Sequence, residues 1–241
     1  MCKRCVRGAD CTAMVPQAPA LLSVLSLDLL VIVFKFLKLG DLHIAMTVSR
    51  ECRDAVRGVL TLLENLMLSG RNMDDAGMTS LADAIWSGSL ANCQRLYLDD
   101  NRIGDEGMKA FSSAIATGAL GACTIIILYK NNIGDVGMQA FSEAIRSGAL
   151  PLLRELYLHK NAIGDAGVTA LAGAIASGSL GNLKELSLYE NQIGDEGMKA
   201  FASAIASGAL PKLEFVSVWG NPGNTDGVKE ACKSRKIKCR A

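Results

Sequence analysis

Residues 95–120 read RLYLDDNRIGDEGMKAFSSAIATGAL, and residues 125–150 read IIILYKNNIGDVGMQAFSEAIRSGAL. The two segments carry one pattern at a spacing of thirty residues, and the rest of the chain extends it in both directions. Leu66, Leu96, Ile126, Leu156, Leu186 and Val216 hold the first position of the pattern; Leu68, Leu98, Leu128, Leu158, Leu188 and Val218 stand two residues on. Asn101, Asn131, Asn161, Asn191 and Asn221 keep the same step, and Ile103, Ile133, Ile163 and Ile193 are each followed by Gly-Asp. A fixed period of this length marks an array of supersecondary units.

The unit has a readable physics. Leu-x-Leu alternates with period two, so it predicts a short strand with one buried face. The Asn after it suits a turn, where its side chain bonds backbone groups. Asp105 and its equivalents are expected to cap a helix that starts beside them. Met108, Phe111 and Ile115 recur at i, i+3 and i+7, one face of that helix. Gly118, Gly148, Gly178 and Gly208 sit where a left-handed residue closes a helix. One unit buries apolar side chains worth roughly 10–20 kcal/mol gross, whereas ordering thirty residues costs about 45 kcal/mol. The units therefore have to stack and stand or fall as a block. The expected fold is an α/β solenoid, a horseshoe with parallel inner strands and outer helices.

These residues resemble the leucine-rich repeat family, and the N-x-I-G-D-x-G-M-x-A-F run is most similar to its ribonuclease-inhibitor-like type. About six units are expected over residues 60–228. The end units depart from the pattern: Arg71 and Met73 replace Asn and Ile in the first, and Pro222-Gly223 interrupts the last. Residues 229–241 carry Lys229, Lys233, Arg235, Lys236, Lys238 and Arg240 against Glu230, and read as a basic solvated tail, a nuclear signal or a patch for an acidic partner.

In the strand, positions between and after the two leucines point away from the core. They hold Tyr97, Asp99, Tyr129, Tyr157, His159, Tyr189 and Trp219, which include all four tyrosines of the chain. Two readings stand side by side. Aromatics suit strands and stack along a sheet. Exposed Tyr and Trp with mixed charge are also what protein-binding hot spots use, and on that reading these residues receive a protein substrate on the concave face. His159 alone reads as a contact residue rather than a base or metal ligand.

Upstream of the repeats, Leu29, Val33, Phe34 and Leu37 have helical spacing; Gly40-Asp41 breaks it, and Asp41 starts a second helix through Ile44, Val48 and Cys52. Residues 25–53, LSLDLLVIVFKFLKLGDLHIAMTVSRECR, resemble the F-box without a gap. Ser26 and Cys52 depart from it, standing where the family has proline and tryptophan. The resemblance implies a small α-helical segment over residues 21–59, preceded by a flexible tail over 1–20. It also implies that Leu25, Asp28, Leu29, Val33, Phe34, Leu37, Asp41, Leu42, Val48 and Cys52 bind the adaptor subunit of a cullin-RING ubiquitin ligase. An alternative is that these helices only cap the first repeat of a scaffold or of an inhibitor-like or immune-receptor-like module.

Composition narrows the remaining classes. The formal net charge is +1, so nucleic acid is not an expected partner. Residues 20–39 are strongly apolar, but Asp28, Lys35 and Lys38 interrupt them; a charge near the centre of a spanning helix costs about 2.5–3.5 kcal/mol, and no membrane association is expected. Cys93 and Cys123 fill a position that Leu holds in other repeats, so they read as core hydrophobes of a protein from the reducing cytosol or nucleus. No nucleotide-binding or metalloprotease motif occurs in the chain. Gly-Asp-x-Gly lacks the alternating carboxylates of a calcium loop, and Cys2 and Cys5 have no matching second pair. Neither enzymatic activity nor a cofactor or metal is expected.

Overall fold

The computed structural model describes residues 63–241. The segment read as an F-box, with every adaptor-binding residue named above, lies outside the described residues, as does the N-terminal tail.

Seven three-residue strands form one parallel sheet in chain order. They are β1 (Asn65–Met67), β2 (Arg95–Tyr97), β3 (Ile125–Ile127), β4 (Glu155–Tyr157), β5 (Glu185–Ser187), β6 (Phe215–Ser217) and β7 (Lys238–Arg240). Six helices alternate with them: α1 (Asp75–Trp86), α2 (Asp105–Ile115), α3 (Asp135–Arg146), α4 (Asp165–Ala176), α5 (Asp195–Ala206) and α6 (Asp226–Ser234). The register repeats the sequence period: Leu66 pairs with Leu96, Leu96 with Ile126, Ile126 with Leu156, and so on to Val216. Each helix packs on the helix of the next unit. These are leucine-rich repeats stacked as a solenoid, as the period required.

The alternation decides what is buried. Leu96, Leu98, Ile103, Met108, Phe111, Ile115 and Cys123 are all buried, and so are their counterparts in the following unit. Phe111 stacks on Phe141 at 6.0 Å, so the helix layer is continuous between these units. Cys93 and Cys123 lie in this core, and burial pushes their thiols up to about 11 and about 12. They behave as small apolar residues. After each of α2 to α5 the expected glycine has a positive φ, 82° at Gly118, and Gly88 follows α1 in the same way.

Two side chains per unit join it to its neighbours. The Asn131 amide donates to the Leu98 carbonyl of the preceding unit at 2.9 Å and to Leu128 of its own at 3.0 Å, and its oxygen accepts from the Ile103 amide at 3.0 Å. Asn101, Asn161, Asn191 and Asn221 make the same set. The second joint corrects the expected cap. Asp105 opens α2 but does not cap it; Gly104 holds the cap position. The Asp105 carboxylate instead accepts from the amides of Gly134 and Gly137 in the next unit, at 2.8 and 2.9 Å. Asp135 and Asp165 do the same one unit further on. Each aspartate thus caps the following helix, placing negative charge at its positive end. The first unit has no described repeat before it to supply that carboxylate, and there Asp74, in the slot of Gly104, caps α1 itself by accepting from Gly77. Close approach fixes the second glycine: a Cβ at Gly137 would lie 2.7 Å from Asp105 Oδ1 and 2.9 Å from Met108 Cβ.

The expected basic tail is part of the fold. Residues 226–234 are helix α6, and Lys238–Arg240 is β7, which pairs with β6 through Val216 and Cys239. Arg235 donates to the Ile205 carbonyl at 2.9 Å and to Leu210 at 3.3 Å, closing the carbonyl end of α5 and the loop after it. A charge-based reading misses this because a basic side chain suits orphan helix carbonyls as well as it suits water.

Replacing Asn131 with alanine leaves the Ile103 amide without its acceptor and removes one of the two asparagine donors from each of the Leu98 and Leu128 carbonyls, which keep Asn101 and Asn161; an unpaired buried amide costs about 1–3 kcal/mol. Urea denaturation of Asn131→Ala should show a loss of about 1–3 kcal/mol in one cooperative transition. A loss under about 1 kcal/mol would mean that the amide ladder is dispensable.

Candidate partner-binding face

Three columns of side chains leave the sheet on the side away from the helices. The third column, one residue after the second leucine, runs Ser69, Asp99, Tyr129, His159, Tyr189 and Trp219. Its rings stack face to face. Tyr129 and His159 are 4.4 Å apart, His159 and Tyr189 4.1 Å, and Tyr189 and Trp219 4.8 Å, all within 16° of parallel. The Arg240 guanidinium covers the outer face of Trp219 at 4.9 Å. At the other end Asp99 accepts from Ser69 at 2.6 Å. The strand spacing of about 4.8 Å is close to the separation of stacked rings. Parallel strands in register therefore impose the stack wherever aromatics share a column.

The second column holds Met67, Tyr97, Ile127, Tyr157, Ser187 and Ser217. Tyr157 meets His159 edge-on at 6.3 Å. Tyr97 lies apart from the stack, in register with Met67 and Ile127. Sequence reasoning misses the first column, ahead of the first leucine, although the same alternation points it outward. It holds Asn65, Arg95, Ile125, Glu155, Glu185 and Phe215. Glu155 and Glu185 are direct neighbours across β4 and β5. The Tyr157 hydroxyl donates to Glu155 at 3.0 Å. Burial first, then the bonds and charges of these two carboxylates, hold the phenol well above its ordinary range.

The outward pattern implies full exposure of these side chains, and the structure differs. His159 and Asp99 are only 8% and 9% exposed, and Tyr97, Tyr129, Tyr157, Tyr189 and Trp219 are half-buried. Neighbours on the face cover them; none turns into the core, which the leucine positions fill. Both sequence readings of the aromatics thus meet in one feature: a sheet-stabilising stack whose ring edges line the open face. His159 Nδ1, Ser217 Oγ and Trp219 Nε1 are buried with no hydrogen-bond partner among the described residues.

Burial, with the neighbouring Lys160 charge adding to it, lowers the His159 imidazole to about 4, against a weaker pull from Asp99. It is neutral near pH 7. Beside the stack, Asp100, Lys130, Lys160 and Glu190 hold φ between 51° and 57°, a region where the end units place Gly70 and Gly220. Lys130 pairs with Asp100 at 3.4 Å and Lys160 with Glu190 at 3.5 Å. Exposed pairs of this kind contribute about 0–1 kcal/mol, so they supply charge pattern rather than stability.

Comparison with known families covers both halves of the sequence. The leucine-rich repeat family matches residues 94–112, 124–142, 149–172 and 182–202, and the F-box domain matches residues 22–62. The chain is an F-box protein with C-terminal leucine-rich repeats. Among curated proteins no match was found. The repeat array of this F-box protein extends past the matched segments, since β1 with α1 and β6 with α6 are built on the same plan. No helix among its described residues is long and apolar enough to cross a membrane.

The neutral imidazole gives a signed pH dependence. The unfolded chain takes up a proton near pH 6.5, whereas the folded chain resists until about pH 4, so acidification across that window favours unfolding. Between pH 7 and pH 4 the wild type should lose about 1–2 kcal/mol more than His159→Phe, which keeps a ring in the stack. Equal losses in urea titrations of the two proteins would show that the imidazole is not held neutral.

Proposed function

We propose that this protein is the substrate-recognition subunit of an F-box type cullin-RING ubiquitin ligase and has no catalytic activity of its own. The observation that carries the reading is an F-box domain at residues 22–62 followed in sequence by a repeat array with an open aromatic face. F-box and leucine-rich repeat segments are interaction modules. On this reading Leu25, Asp28, Leu29, Val33, Phe34, Leu37, Asp41, Leu42, Val48 and Cys52 engage the ligase adaptor. Tyr97, Asp99, Tyr129, Tyr157, His159, Tyr189 and Trp219 receive a protein substrate, with Glu155 and Glu185 beside them. The protein would then work in the cytosol or nucleus.

The mechanism is proximity. Holding a substrate next to the transfer machinery replaces a bimolecular encounter with a local one at high effective concentration. The face has the physics for it. Tyr and Trp bring large contact area at low entropic cost, and stacking already restrains the rotamers of those in the third column, so less freedom is lost on binding. Among the described residues no cluster of three metal-ligating side chains occurs.

Two measurements test the two halves separately. The full chain should co-purify with the ligase adaptor, and Leu29→Asp or Phe34→Asp should abolish it; a wild-type chain that ignores the adaptor ends the ligase reading. Proteins captured by the full chain should be lost by more than about tenfold on Tyr157→Ala or Trp219→Ala, while each variant loses only the ~0.5–1.5 kcal/mol of an aromatic contact. Unchanged capture, or a collapse in melting temperature for both variants, would assign the aromatics to stability alone.

A further inference from the structure

The C-terminal unit contains two thiols on facing elements. Cys232 lies on α6 and is fully buried. Cys239 is the central residue of β7 and is in register with the core residue Val216, so it points to the same side of the sheet and faces α6. The connection doubles back tightly: the Ile237 amide donates to the Cys232 carbonyl at 2.9 Å, and Lys236 takes a φ of 60° to make the turn. Each thiol is near enough to shift the titration of the other. Nothing in the array's packing requires this pair, since Leu, Ile and Val serve the position of Cys239 in the other strands, and Ala or Ser that of Cys232 in the other helices. Cys239 is half-buried, unlike Cys93 and Cys123, and is the reachable one of the four described cysteines.

We propose that Cys232 and Cys239 form a reversible disulfide on exposure to hydrogen peroxide, and that the bond pins β7 to the end of the sheet. Its chemistry follows from the two environments. The neighbouring Cys232 thiol lowers the Cys239 thiol against the opposing effect of burial, with the Lys229 charge assisting, whereas Cys232 is raised and keeps its proton. The Cys239 thiolate is the nucleophile. It attacks the peroxide; an S–O bond forms, the O–O bond breaks, and hydroxide leaves as water with a solvent proton. Cys232 then attacks the resulting sulfenic acid. The S–S bond forms, the S–O bond breaks, and the second hydroxide takes the Cys232 proton. Two thiols lose two electrons to one peroxide, which leaves as two waters.

The tether acts where the array is weakest. Among the described residues β7 has a strand on one side only, and α6 is the shortest helix, at nine residues. Such an end opens before the rest. What holds it is the Val218 amide donating to Arg240 at 2.9 Å and the Lys238 amide donating to Glu214 at 3.0 Å. β7 also carries Arg240, the cap on Trp219. Oxidation therefore fixes the last residue of the aromatic stack without touching its rings, whatever the face binds.

The test uses the full reduced chain. After brief peroxide treatment, alkylation and tryptic mass mapping should find the peptide of Cys232 linked to that of Cys239, released by dithiothreitol. Amide hydrogen exchange at Val218 and Lys238 should slow by about tenfold or more, and Cys239→Ala and Cys232→Ala should remove the response. Three results would overturn the proposal: Cys239 linked instead to Cys2, Cys5 or Cys11; Cys239 oxidised to sulfinic acid while Cys232 remains alkylatable; or the bond formed with exchange unchanged.

Discussion

The array depends on how backbone polar groups are satisfied where each strand ends. A three-residue strand cannot close its own ladder, and the turn after it lies inside the fold, where an unpaired amide or carbonyl costs about 1–3 kcal/mol. The asparagine side chain supplies what the turn lacks. It has both donors and an acceptor on one rigid plane, and it divides them between two neighbouring units. Asp-Gly adds the second joint, a carboxylate reaching forward to the next helix. With both in place the strands have one register open to them, and the open face inherits that register.

The stack follows from this constraint. Rings at equivalent positions are brought to stacking distance by the sheet spacing alone, so a column of Tyr, His, Tyr and Trp becomes one continuous surface. Its burial is mutual: each ring is covered by the next. This is why His159 is nearly inaccessible yet belongs to a surface, and why its imidazole stays neutral.

Much of this was legible in the residues. The period dictated strands, helices, the glycines closing α2 to α5 and the core positions, because one hydrophobic pattern written repeatedly has a single packing solution. The asparagine turn and the core role of Cys93 and Cys123 were readable for the same reason. What could not be read was contact between units. Asp105 looks like a local cap, since local geometry is all a linear pattern displays; its partners lie 29 and 32 residues away. Charge misleads at residues 229–241, where Arg235 bonds helix carbonyls and β7 extends the sheet. Glu155 and Glu185 escape a search for aromatics, although the alternation that exposes Tyr157 exposes them too. The F-box is legible as a family pattern at residues 22–62.

Because every joint couples a unit to the next through the same atoms, the central units are interchangeable. Excising residues 121–150 would join Leu120 to Pro151 in the place where Leu150 now precedes it. Asp105 would then face Gly164 as it now faces Gly134. The chain can lengthen or shorten by whole turns of the coil without new junction chemistry, while loss of a single residue would break a joint. Surface area for recognition is thus a variable that duplication of the coding segment can adjust in steps of one turn.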